Sequence, residues 1–220
     1  MNTEEKIEAI KMAIDKAEQF QSKLTDAAKD VPFLGSLKIR ALLNNIGEIG
    51  NHYGDWGCHK AGSMCSAIYG NDNLKYITAI DSWESDHMEG DKAYPVFVEN
   101  VAKFKPKNSE LNVIIEDVFK VDLSLIKHKV DIYSYDCGHS YLDQKMALTY
   151  YKPILADEFI YLCDDWTYGE VKEGTMDGIK EGGYEILFEK ELLNETQGND
   201  LHLNMEWWRG YYVALLKNKK

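Results

Sequence analysis

Two short apolar runs, Val130–Tyr135 and residues 159–163, each end in acidic residues, and a helix-length segment separates them. The first runs into Asp136-Cys137-Gly138-His139-Ser140-Tyr141 and the second into Asp164-Asp165-Trp166. Strands joined through a helix lie parallel in a right-handed crossover, because only that path packs the helix back onto the sheet. Parallel neighbours share one carboxyl edge, where open α/β sheets bind their ligands. Asp136, His139, Asp164 and Asp165 are therefore expected at one mouth.

The rest of the chain extends this pattern. Strand-like runs are expected at residues 52–56, 76–80, 112–115, 130–135 and 159–163, with helices near 62–69, 90–103, 120–127 and 140–151 between them. Such alternation indicates a parallel sheet covered on both faces. Before it, Ile7, Ile10, Ile14, Ala17 and Leu24 recur at three- and four-residue steps, so residues 3–29 read as one amphipathic helix capped by Asn2 or Thr3. A shorter helix is expected over 36–46, which makes residues 1–46 a helical extension to a single unit spanning 47–220. After Trp166 come a helix at 171–181 closed by Gly182-Gly183 and two strands, 184–192 and 210–217, more easily an antiparallel pair. The polar segment 193–206 reads as a surface loop or a mobile flap.

With 220 residues and 45% hydrophobic content the chain can bury a sizeable core. A net charge of −12 argues against nucleic acid and anionic membranes, and favours a small neutral or cationic ligand. No run of about 18 apolar residues suggests a membrane span. The N-terminus is charged rather than secretory, and the four cysteines lack CxxC spacing, so reduced thiols and a cytoplasmic location are expected.

The first strand-to-helix turn contains Gly57 and Gly62 spaced as GxxxxG, neither the dinucleotide nor the P-loop pattern, which disfavours a pyrophosphate. Asp81 closes the second strand, where a carboxylate can accept from ribose hydroxyls. Glu116-Asp117-Val118-Phe119 closes the third, offering an acid and an apolar neighbour for adenine, and Asp55 lies in the first strand. Acids at successive strand ends beside a glycine turn suit a nucleoside that carries positive charge and no phosphate. S-adenosylmethionine fits that description.

These residues resemble the class I S-adenosylmethionine-dependent methyltransferases, most nearly a branch with four shared elements. They are a glycine turn (here Asp55-Trp56-Gly57 with Gly62-Ser63), an Ile80-Asp81-Ser82-Trp83 strand end, the Asp136-to-Tyr141 element and the late Asp164-Asp165 pair. The resemblance spans about residues 45–217. It implies a Rossmann-like, doubly wound sheet of seven strands, mostly parallel with the last inserted antiparallel. It also implies a methyltransferase acting on a small acceptor, most often a hydroxyl of a sugar, glycan precursor or secondary metabolite.

Carried over residue by residue, Gly57, Gly62 and Ser63 line the methionine end of the cofactor, Asp81 the ribose and Asp117 the adenine, with Asp55, Trp83 and Asp136 counted among the cofactor-binding residues. In related O-methyltransferases an acid at the Asp136 position and the pair at Asp164 and Asp165 hold a divalent cation, for which Mg²⁺ suits carboxylates. His139 is then a general base or orienting group beside Asp136. Departures from the pattern are Asp55 in place of Glu, Cys137-Gly138 in place of Gly-Asp, and Ala156-Asp157-Glu158 where Pro-Gly-Gly usually forms a turn before the fifth strand. Two rivals stand: a non-catalytic nucleoside- or partner-binding protein, and a metal-dependent hydrolase or hydroxylase using the same acids with His59 and His139. A homo-oligomer is left open.

Overall fold

The computed structural model describes residues 1–84, 90–194 and 206–219, without the side chains of residues 90 and 91. Seven strands form one sheet in the order β3-β2-β1-β4-β5-β7-β6. They are β1 (His52–Trp56), β2 (Tyr76–Asp81), β3 (Glu110–Ile115), β4 (Val130–Tyr135), β5 (Leu155–Cys163), β6 (Tyr184–Leu192) and β7 (Tyr211–Asn218). The first five pair in parallel, and β7 lies antiparallel between β5 and β6. This is the doubly wound fold that the sequence leads one to expect.

Alternation along the strands divides the core in two. Tyr211, Val213 and Leu215 of β7 join a cluster with α1 (Thr3–Glu18), α3 (Leu37–Gly47), α4 (Gly62–Ile68) and α5 (Gly90–Phe104). Tyr212, Ala214 and Leu216 point the other way, into the cluster beneath α6 (Tyr141–Thr149) and α7 (Gly169–Glu181). The N-terminal helices thus share a core with the sheet. Glu158 of β5 anchors their start by accepting from Thr3 Oγ1 at 2.9 Å and pairing with Lys217 at 2.8 Å and Lys6 at 3.4 Å.

Three elements differ from the sequence reading. The helix expected over 3–29 ends at Glu18, capped at its start by Asn2 and Glu5 as a reciprocal box. Phe20 takes φ 57°, the amides of Phe20 and Gln21 bond back to Ala17 and Lys16, and only a short α2 (Asp26–Lys29) follows. That is a left-handed helix end built without glycine, so no glycine announced it. The helix expected at 120–127 is a single 3-10 turn, Leu123–Leu125, held by Asp122 accepting from the Ser124 amide at 3.0 Å. One face of β2 and β3 is consequently open, and Tyr76 stacks on His128 there at 3.7 Å.

Ala156-Asp157-Glu158, expected as an unusual turn, is part of β5 itself. The irregularity is absorbed in the pairing with β4, which steps from Val130↔Leu155 to Ile132↔Ile160. The proposed flap falls largely on residues 195–205, outside the described residues. Among the described residues no helix is long and apolar enough to cross a membrane.

Candidate active site

All five parallel strands deliver their carboxyl ends to one edge, and a cleft of about 680 Å³ opens there. Its volume is in the range of small-ligand sites. Gly57, Gly62 and Ser63 line it beside β1, Asp81 and Trp83 beside β2, and Asp117 beside β3. Asp136 and His139 enter after β4, and Asp164 and Asp165 after β5. The residues singled out in the sequence, dispersed over about half the chain, therefore meet on one surface, with Asp55 the exception.

The glycine turn works by close approach. Gly57 has φ 91°, and a Cβ there would stand 2.1 Å from the carbonyl oxygen of Asp136. Gly62 begins α4, and a Cβ there would meet the Pro32 carbonyl at 2.4 Å and Phe33 Cβ at 2.5 Å. The other left-handed positions of the turn are non-glycine, His59 at φ 44° and Ala61 at φ 68°. Trp83, Asp165 and Arg209 share this conformation, so nearly all the left-handed non-glycine backbone of the described residues gathers around the cleft.

Asp55 lies behind the wall rather than in it. Fully buried, it accepts from Ser63 Oγ at 2.7 Å, so it orients the hydroxyl that faces the cleft. Burial pushes its carboxyl up to about 7 against the pull of that hydrogen bond, and the charge of Asp136 adds to the rise.

The ribose and adenine candidates are held by their own loops. Asp81 accepts from the His59 amide at 2.9 Å and the Trp83 amide at 2.8 Å, while Trp83 Nε1 donates to the His59 carbonyl at 2.8 Å. A carboxylate has about four acceptor positions, so two remain for a ligand diol. Trp83 is mostly buried against Tyr94 and Phe97 and shapes the wall. Asp117 accepts from the Phe119 amide at 2.9 Å and pairs with Lys120 at 3.0 Å, which holds its carboxyl below the usual range.

At the other end the acids and bases interlock. His139 Nε2 is 3.4 Å from Asp136 Oδ1 and 3.2 Å from Asp165 Oδ2, and Arg209 reaches Asp165 at 3.6 Å. The hydrogen bond to Asp136 raises the imidazole above its ordinary value despite partial burial. Burial raises Asp164 well above its usual range, reinforced by the charges of Asp136 and Asp165, and its Oδ1 accepts from the Asp165 amide at 2.8 Å. Among the described residues no group of three His, Cys, Asp or Glu side chains is arranged to hold a metal ion. The gap that a divalent cation would bridge between Asp136 and Asp165 is spanned by His139, so the residues as placed do not fit Mg²⁺.

Several lining residues were not singled out. Pro32, Phe33 and Leu34, in the connection between α2 and α3, form a wall of the cleft. The Trp207-Trp208-Arg209 segment divides. Trp207 is buried with Nε1 donating to Glu18 at 2.7 Å, whereas Trp208 and Arg209 line the cleft. Trp56 and Trp166 are core residues.

No protein-family model matches the chain, and no curated protein matches it. Solved structures do. A Pyrococcus horikoshii protein assigned as an RNA methyltransferase superposes with TM-score 0.56 at 14% identity, covering 97% of this chain and 100% of its own. The O-methyltransferase TomG from Streptomyces achromogenes, which acts in tomaymycin synthesis and was solved with S-adenosylmethionine, gives 0.56 at 11% identity, with 96% and 90% covered. A precorrin 8w decarboxylase from Methanobacterium thermoautotrophicum gives 0.55 at 19%, with 86% and 94% covered. At these identities the likeness is one of fold: the chain has the class I methyltransferase fold. The decarboxylase shows that such a fold does not by itself fix the reaction.

Proposed function

We propose that the protein transfers a methyl group from S-adenosylmethionine to a hydroxyl of a small acceptor. The observation that carries this reading is the division of one cleft. Acids suited to an adenosine, Asp81 and Asp117, line one end, and an acid–histidine cluster lines the other, with the glycine turn between. Among the described residues no phosphate-binding glycine loop interrupts it, and the acidic lining suits a cationic cofactor.

S-adenosylmethionine supplies an electrophilic methyl on a sulfonium. The chain's own residues do the rest. Gly57 lets the backbone approach, Ser63 is aimed by Asp55, and Asp81 accepts from the ribose. His139, its Nε2–H held by Asp136 and Asp165, takes the proton of the acceptor hydroxyl on its other ring nitrogen, and the two carboxylates stabilise the imidazolium that results. Leu34, Trp208 and Arg209, which line the cleft, confine the acceptor for in-line approach. Sugars, glycan precursors and secondary metabolites all offer such a hydroxyl.

The test is calorimetry with S-adenosylhomocysteine, followed by a radiolabelled methyl-transfer screen over hydroxyl acceptors. Binding and turnover are expected. Failure to bind would sink the reading, and binding without turnover across the screen would favour the non-catalytic alternative.

A further inference from the structure

The wall formed by Pro32, Phe33 and Leu34 is held from behind by a buried cation. Arg40, in the middle of α3, is 5% exposed. One guanidinium nitrogen donates to the Val31 carbonyl, and Nη1 donates to Ser66 Oγ at 3.1 Å. The group also lies 4.7 Å from the centroid of the Phe33 ring. Ser66 in turn donates to the Gly62 carbonyl at 2.7 Å, so a single side chain reaches both the wall and the first turn of α4. Gly62 is the residue pressed against Pro32 and Phe33.

A guanidinium is costly to bury and is retained where its planar fork satisfies several acceptors at once. Burial lowers this one to about 10, so it remains charged at neutral pH. Packing alone would be met by Leu or Met in a helix whose other faces are also buried. What the arginine adds is a fixed distance between the wall and the glycine turn.

We propose that Arg40 is a positioning residue that sets the Pro32–Leu34 wall over the methionine end of the cofactor cleft. This rests on the functional reading above, because Gly62 and Ser63 mark the methionine end only if the cleft holds S-adenosylmethionine. The wall then discriminates between ligands that have the amino-acid tail and ligands that lack it.

The experiment compares S-adenosylhomocysteine with 5′-methylthioadenosine, which keeps the nucleoside and thioether but has no amino-acid tail. Dissociation constants are measured for the wild type, Arg40→Met, Arg40→Lys and Ser66→Ala, the last two guarding against a failure of Arg40→Met to fold. S-adenosylhomocysteine should weaken about ten-fold in Arg40→Met and about three-fold in the milder variants, with 5′-methylthioadenosine held within about two-fold. Equal losses for both ligands, or no loss for either in a folded variant, would overturn the proposal. A wild type that binds neither ligand removes the functional reading itself, and the proposal with it.

Discussion

A Cβ placed on Gly57 would stand 2.1 Å from the carbonyl oxygen of Asp136, so the ends of β1 and β4 meet backbone to backbone at the centre of the cleft. The contact is reinforced by Asp136 donating its amide to the Trp56 carbonyl at 2.9 Å and Gly57 donating to Ile80 at 2.9 Å. Any side chain at position 57 must push the two strand ends apart, and at φ 91° it also carries a backbone penalty of about 1–2 kcal/mol. Gly57→Ala is expected to weaken S-adenosylhomocysteine binding at least about ten-fold and to lower the melting temperature by several degrees. Wild-type affinity in calorimetry would contradict this account of the turn.

Gln144 links the two acidic loops. It is fully buried, its Nε2 donates to the Gly138 carbonyl at 2.9 Å, and its Oε1 accepts from Thr175 Oγ1 at 3.2 Å and Cys163 Sγ at 3.3 Å. Gly138 lies between Asp136 and His139, and Cys163 immediately precedes Asp164. Gln144→Leu leaves the Gly138 carbonyl and the Thr175 hydroxyl without this partner, at about 1–3 kcal/mol for each orphaned group. The turnover number should fall by about ten-fold or more while the cofactor dissociation constant changes little, since the partners of Gln144 lie after β4, at the end of β5 and in α7, and none is in the glycine turn. Steady-state kinetics beside calorimetry would show whether the loss is confined to turnover; a parallel loss of cofactor affinity would contradict it.

Asp55 should leave a signature in the pH dependence of stability. Its carboxyl lies at about 7 in the folded chain against an ordinary 3.8, with burial the main cause. The native state therefore binds more protons than the unfolded state between those values, and stability falls as pH rises through that window. At about 1.4 kcal/mol per pKa unit the loss is on the order of a few kcal/mol, complete above about pH 7. Denaturant unfolding of the wild type and Asp55→Asn between pH 4.5 and 8 should show the two stabilities converging or crossing as pH rises, with the variant gaining. Parallel curves would mean that Asp55 is not the group responsible.

The strand–helix alternation was legible because parallel strands must be buried on both faces and their apolar runs are nearly continuous. Strand ends inherit their side of the sheet from that topology, which is why Asp81, Asp117, Asp136 and Asp164 could be placed together without contact information. What stayed hidden depends on tertiary context. Phe20 ends α1 in a conformation that glycine normally marks, and Arg40 sits in an apolar helix stretch where a cation reads as a solvent-facing position. Trp207 and Trp208 are adjacent, yet one packs against Glu18 and the other lines the cleft. No pattern of residue types separates those two fates, because only the loop's path does.

The metal expected from the resemblance can be decided by removing it. Asp136 and Asp165 are cross-linked by His139 at 3.4 and 3.2 Å, and Arg209 engages Asp165 at 3.6 Å. A divalent cation bound between the two carboxylates would have to displace the imidazole from both, then compete with the guanidinium for Asp165. It would also need Asp164 ionised, whereas burial and its two acidic neighbours hold that carboxyl well above its usual range. The imidazole of His139 and the guanidinium of Arg209 therefore occupy the positions beside the acids that a divalent cation would need. Methyl transfer in EDTA should stay within about two-fold of the rate with added Mg²⁺, and Mg²⁺ should leave the melting temperature unchanged. If EDTA abolishes turnover and Mg²⁺ alone restores it, His139 must swing clear on metal binding, and its pairing with both acids describes only the metal-free state.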